Sequence, residues 1–291
     1  MRNKDLQKIC KCGIIVMERG LKMLPLIDLR RLKWDGSDDA NGSTQGTFSK
    51  SVVDTPKGKV YYKLSRYDSY LNQITGYESI FEVIVYRLCK ELGLDCLKYS
   101  LIHGLVNVSG KSIETYLCAS KDFRGNATKV TAEQLYLNTR RANEDPLTTF
   151  RRLSYSDYVD TLMLVDFIVY NRDRHGKNIE FNLKDGKITP APIFDSGFSF
   201  VSPYGMSLDM IKAFKAGSDM PVNNFIGSRS LTKNLSLICK PVLVNKLTKQ
   251  TRAALFKDMS QCLPKVVRDK VWEIIESRYK YAKDRKVLNE R

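Results

Sequence analysis

The sequence predicts an α+β protein of two lobes, a small sheet-containing N-terminal lobe and a mainly helical C-terminal lobe. Three observations carry that expectation. A run rich in β-formers, Lys59-Val60-Tyr61-Tyr62-Lys63-Leu64, precedes an amphipathic helix spanning about Tyr77 to Leu92. An apolar helical run from Tyr158 to Tyr170 then leads into a polar loop and two strand-like runs, Ile179 to Leu183 and Ile188 to Phe194. After about Ser207 the pattern is helical and leucine-rich, through Leu235 to Met259 and Pro264 to Arg285. With 291 residues, 43% apolar and 27% charged, the chain is ample for one well-cored domain of two lobes.

The expected boundaries are a basic extension over residues 1–31, the small lobe over 32–118 and the large lobe over 119–291. Ahead of the first strand lies Asp38-Asp39-Ala40-Asn41-Gly42-Ser43-Thr44-Gln45-Gly46-Thr47-Phe48-Ser49-Lys50, whose small residues let backbone amides approach phosphates, Gly46 among them. It fits neither the Gly-x-Gly-x-x-Gly nor the Walker A pattern. In the strand, Lys63 sits where an inward-facing ammonium could reach nucleotide phosphates. The helix buries Tyr77, Ile80, Phe81, Ile84, Val85, Leu88 and Leu92 as one face. Glu78 and Glu82 flank that face one turn apart; either could pair with Lys63, and the helical wheel places Glu78 nearer the stripe.

The chemistry concentrates in the octapeptide Asn171-Arg172-Asp173-Arg174-His175-Gly176-Lys177-Asn178 and in Phe194-Asp195-Ser196-Gly197, with Asp185-Gly186 as a hairpin turn between the two strands. Asp173 precedes Asn178 by the spacing with which kinases set a catalytic carboxylate beside a metal-binding carboxamide. Phosphoryl transfer asks a protein mainly for geometry and charge neutralisation. In that reading Asp173 orients the acceptor hydroxyl and takes its proton. Asn178 and Asp195 bind Mg²⁺, which prefers such oxygen donors, and Lys177 lies within reach of the transferring phosphate.

Together these residues resemble the HipA-like serine/threonine kinases, bacterial toxin kinases and their relatives within the protein-kinase-like superfamily. The resemblance spans roughly Leu32 to Arg285 and is strongest from Phe167 through the catalytic loop to the run Thr189-Pro190-Ala191-Pro192-Ile193-Phe194-Asp195. It implies a bilobal protein-kinase-like fold with ATP between the lobes, Asp173 as catalytic base, Asn178 and Asp195 as Mg²⁺ ligands, and His175 with Lys177 as nucleotide contacts. Lys63 matches the family's phosphate-binding lysine, and Glu82 fits its helix glutamate better than Glu78, opposite to the wheel. Ile113 to Phe123, with Cys118 and Ser120, falls where the family has its inter-lobe hinge. The resemblance further implies a Ser/Thr-bearing protein substrate and an antitoxin-like partner, and the loop's own hydroxyls offer sites for autophosphorylation. Ser43, Thr44, Thr47 and Ser49 in the glycine-containing loop are candidate acceptors.

The Asp-Arg-His-x-x-Asn loop is also similar to that of phosphoinositide-kinase-like enzymes, which gives a lipid or small-molecule kinase as the alternative. A basic pseudokinase that only binds is the other, against which intact Lys63, Asp173, Asn178 and Asp195 argue. The net charge of +16 is carried by the ends, nine Lys and Arg against three Asp and Glu over Met1 to Lys33, and sixteen against six over Arg229 to Arg291. The C-terminal charges interleave with an apolar helical stripe and read as a solvated face, so nucleic acid would be met only through the basic termini or a partner. No apolar run reaches the length of a membrane span. Seven cysteines without Cys-x-x-Cys pairing read as reduced thiols of a cytoplasmic protein.

Overall fold

A six-stranded mixed sheet and one buried helix make the first half of the protein. The computed structural model describes residues 14–15, 24–34 and 48–291. Gly46, the acceptor candidates Ser43, Thr44 and Thr47, and Cys10 and Cys12 lie outside the described residues. In chain order the elements are β1 (Ile14–Ile15), β2 (Leu26–Asp28), β3 (Lys50–Thr55), β4 (Gly58–Lys63), β5 (Tyr67–Asp68), β6 (Gln73–Ile74), α1 (Glu78–Leu92), β7 (Tyr99–Val108) and β8 (Lys111–Lys121). The sheet order is β1-β2-β7-β8-β4-β3, with β2 parallel to β7 and the other neighbours antiparallel. Ser109 and Gly110 both take positive φ, the twist a two-residue hairpin loop needs between β7 and β8.

Helix α1 is buried on nearly every side, because the sheet covers one flank and a later helix (Lys249–Leu255) another. It stops at Gly93, which takes φ +72° and donates to the Lys90 carbonyl while Leu94 donates to that of Cys89, a glycine-closed C-terminus. Its apolar residues belong to the main core, which runs on into the second half of the protein. A smaller cluster of Leu29, Trp34, Leu64, Val106, Val108 and Leu117 also packs within the sheet half.

The second half contains β9 (Thr128–Thr131), α2 (Ala132–Thr139), α3 (Pro146–Arg152), α4 (Ser156–Val169), β10 (Asp173–Arg174), β11 (Glu180–Lys184) and β12 (Lys187–Pro190). After them come α5 (Leu208–Ala213), β13 (Asn223–Asn224), α6 (Leu231–Leu235), β14 (Val242–Val244), α7 (Lys249–Leu255), α8 (Lys265–Asp284) and β15 (Leu288–Glu290). Helix α4 is the axis, packed against α3, α6 and the long α8. Among the described residues no helix is long and apolar enough to cross a membrane.

Two expectations change here. The predicted second strand ends at Pro190 and not Phe194; Ile193 makes only an isolated bridge to Cys96. Leu235 to Met259 is not helical throughout, because Pro241 is followed by a strand, β14, that pairs in parallel with the C-terminal β15. The proposed small-lobe boundary at Cys118 falls inside β8, where Cys118 stands opposite Lys63.

Helix α2 opens on a reciprocal cap: Thr131 Oγ1 accepts the Gln134 N–H while the Gln134 side chain accepts that of Thr131. Thr131→Ala is expected to cost about 1 kcal/mol in urea unfolding, whereas a loss under 0.3 kcal/mol would show that the cap contributes little.

Candidate functional site

Between the sheet half and the helical half lies a cavity of about 890 Å³. Phe48, Lys50, Tyr61 and Lys63 line one wall, Ser120 to Arg124 the connecting segment, and Asp173, His175 to Asn178, Asp195, Gly197 and Asn223 the opposite wall. It is the class of cleft in which a ligand is held between two structural units.

Lys63, at the end of β4, reaches across the cavity. Its Nζ donates to Glu82 Oε1 at 2.7 Å and to Asp195 Oδ1 at 2.7 Å, with Tyr99 Oη at 3.4 Å. Burial opposes the charge on Lys63, but the Asp195 and Glu82 carboxylates outweigh it and hold the ammonium well above the usual lysine range. Burial likewise opposes ionisation of Asp195, and Lys63, then Lys50, hold it well below the usual carboxylate range. Glu82 uses its other oxygen to accept the Ser196 N–H at 3.0 Å, so α1 fixes both the lysine and the chain beside Asp195. Asp195 takes φ +56°, and Gly197 follows where a Cβ would stand 3.2 Å from the Glu78 carbonyl oxygen.

Of the two glutamates, Glu82 meets Lys63. Glu78 is turned away from the cavity: it accepts the Arg66 N–H at 3.0 Å and faces the Arg66 guanidinium at 3.3 Å, while burial pushes its carboxyl up. The wheel failed because residues 78–85, the part of α1 that carries both glutamates, are all buried, so distance from the apolar stripe does not tell which carboxylate faces Lys63.

The loop after α4 is held by its own side chains. Tyr170 ends the helix in the left-handed region, φ +54°. Asn171 donates to Asp166 at 2.8 Å and accepts the Asp173 N–H at 3.2 Å. Asn178 Nδ2 donates to the Asp173 carbonyl at 3.1 Å, which leaves its Oδ1 as an acceptor beside the cavity. His175 Nδ1 accepts the Lys177 N–H at 3.2 Å, so the ring proton sits on Nε2, 3.9 Å from Asp173 Oδ2 and too far for a hydrogen bond. Gly176 is required by crowding: a Cβ there would meet Glu133 Cβ at 3.0 Å and the Phe225 ring at 3.1 Å.

The connecting segment differs in register from the expectation. Most of Ile113 to Phe123 is strand β8, and only its end, from Ser120, reaches the cavity. Cys118 does not: it is fully buried, and burial pushes its thiol far above the usual range. The Asp122 N–H is already donated to the Lys59 carbonyl at 2.9 Å. Strand alternation turns the Lys121 peptide to the other edge, where the ladder with β7 stops at Tyr99.

Several site residues were not picked out in the sequence. Arg174 is fully buried and donates to Asp166 at 2.8–3.2 Å, to the Asn178 and Phe194 carbonyls at 3.0 and 2.5 Å, and to Ser196 Oγ at 3.0 Å. It thereby ties α4, the Asp173 loop and the Asp195 segment together. The available signal was Asp166, an acid inside the apolar run of α4, which demands a cation partner. Asn223 and the Arg124–Glu180–Lys129 cluster carried no such signal.

No protein-family model matches this chain, and no curated protein matches it. Among solved structures, the proinflammatory kinase CtkA of Helicobacter pylori is similar over 90% of this chain and 98% of its own, with a TM-score of 0.57 and 13% identity. HipA of Shewanella oneidensis MR-1, solved with HipB and operator DNA, aligns over 87% of this chain and 67% of its own, with a TM-score of 0.45 and 14% identity. At this identity the likeness to CtkA is one of fold: the chain has an α+β fold shared with a kinase.

Proposed function

We propose that this protein is an ATP- and Mg²⁺-dependent serine/threonine protein kinase of the HipA-like kind, with a bilobal arrangement and ATP between the lobes. One observation carries the reading. Lys63 is pinned by Glu82 and Asp195 across a cavity whose far wall presents Asp173 and Asn178. A buried ammonium held by a helix carboxylate and a second, cleft-facing carboxylate is the arrangement with which kinases hold nucleotide phosphates. Fold likeness to CtkA and the sequence resemblance support it.

The donor set suits a hard divalent cation. Asn178 Oδ1 and the Asp195 oxygen not bonded to Lys63 are both oxygens, and Asp195 stays ionised. Bound by these two residues, Mg²⁺ would supply neutralisation of phosphate charge. The protein's own groups do the remaining work. Lys63 neutralises non-transferring phosphates, and the Lys121 and Phe123 peptides face the base, since the Asp122 N–H is committed elsewhere. Asp173 accepts the proton of the acceptor hydroxyl as its oxygen bonds the γ-phosphorus and the bond from that phosphorus to the ADP oxygen breaks.

The test is transfer of labelled γ-phosphate from Mg²⁺-ATP to the protein itself and to lysate proteins, with phosphoserine and phosphothreonine recovered by hydrolysis. Lys63→Met is expected to remove the transfer and weaken ATP binding at least tenfold, in keeping with loss of a charge-assisted phosphate contact worth about 1.5–3 kcal/mol. Equal labelling by parent and variant, or no labelled Ser or Thr in any protein, would overturn the proposal.

A further inference from the structure

We propose that Asn223 is a positioning residue that orients the Asp173 carboxylate for proton acceptance; the role rests on the kinase reading above. Asn223 Nδ2 donates to Asp173 Oδ1 at 2.7 Å. The amide orientation is unambiguous, because an ionised carboxylate can only accept. With Oδ1 occupied, the free oxygen is Oδ2, which accepts no hydrogen bond among the described residues. One side chain thus fixes the rotation of the carboxylate and decides which oxygen meets an acceptor hydroxyl.

Asn223 is exposed, but its backbone is held in place. Strand β13 lies parallel to β10 with Asn223 opposite Asp173. The Asn223 N–H donates to the Arg172 carbonyl at 2.9 Å, and the Phe225 N–H to the Arg174 carbonyl at 2.9 Å. Upstream, the Met220 N–H donates to Tyr170 Oη at 3.2 Å, and Asp219 accepts the Leu231 N–H at the start of α6 at 3.0 Å. These bonds set the Asn223 backbone beside Asp173 before any acceptor arrives, so the amide reaches the carboxylate with little further ordering at the moment of transfer. Asn223 lies fifty residues after Asp173, and only the fold makes the two neighbours.

The experiment uses the full chain and the acceptor revealed by labelling, or self-labelling where that is the acceptor. Asn223→Ala is expected to lower kcat about tenfold with the KM for ATP unchanged, since the amide touches the base and not the nucleotide wall. Asn223→Gln, which keeps a donor amide, is expected to restore part of the loss. In an Asp173→Asn background Asn223→Ala is expected to cost nothing further, because the two act as one unit. A purely structural Asn223 would instead impair the Asp173→Asn protein as much as the parent.

The inference is overturned if Asn223→Ala keeps kcat within twofold of the parent, if KM for ATP rises as much as kcat falls, or if the loss persists undiminished in the Asp173→Asn background. Failure of the underlying reading looks different: full transfer by Asp173→Asn itself, or no transfer by the parent, removes the role of Asp173 and that of Asn223 with it.

Discussion

Asp173→Asn is expected to lower phosphate transfer by about 10²–10⁴-fold, the range set by losing a positioned general base, while leaving Mg²⁺-ATP binding and folding nearly unchanged. The substitution is close to isosteric. The Asp173 N–H still donates to Asn171, the Asp173 carbonyl still accepts from Asn178, and an amide oxygen can still accept from Asn223. What disappears is a group able to take a proton from the incoming hydroxyl. Single-turnover transfer with labelled ATP would read the chemical step, and calorimetric titration with Mg²⁺-ATP the binding. Asp195→Ala should differ by weakening the binding as well, because Asp195 meets Lys63 and is proposed to hold the metal. Full turnover by Asp173→Asn would sink its role as base. Equal loss of binding in both variants would show that Asp173 belongs to the nucleotide wall instead.

The parts of the site written in local sequence were legible because turn chemistry and spacing are local. Asp173 and Asn178 sit on one loop, and Asp195 on the segment that follows the β11–β12 hairpin, whose Asp185-Gly186 turn residues both take positive φ as a tight hairpin requires. Lys63 could be placed on a strand and Glu82 on a helix, but their meeting is a tertiary fact. Periodicity could not choose Glu82 over Glu78, because both lie in the fully buried first half of α1 and only the tertiary fold brings Lys63 to one of them.

Which part of Ile113 to Phe123 lines the cavity was not legible for a related reason. Where β8 stops being strand and becomes cavity wall is decided by the end of β7 at Tyr99, not by anything within Ile113 to Phe123. The pairing of β14 with β15 joins segments about forty-five residues apart, and it turned an expected helix into a strand.

Arg174→Met is expected to destabilise the protein by about 3–5 kcal/mol, the usual cost of leaving one partner of a buried ion pair uncompensated. Its exposure and that of Asp166 are both 1%, so little solvent screening reduces the effect. Burial opposes its charge, yet Asp166 raises the guanidinium beyond its ordinary range, a sign that the carboxylate more than offsets desolvation. Lysine cannot substitute, because the bonds to Asp166, Asn178, Phe194 and Ser196 use the planar fork of donors that only arginine offers.

Urea unfolding of the parent, Arg174→Met and the double variant Arg174→Met with Asp166→Leu separates two contributions. The double variant removes the orphaned charge and should recover part of the stability. It cannot recover transfer. The carbonyl of Asn178, a proposed metal ligand, and that of Phe194, next to the other proposed ligand Asp195, would still lack the donor that holds their segments together. A double variant that regained full transfer would show that Arg174 serves only charge balance and that the Asp173 loop and the Asp195 segment hold their registration without it.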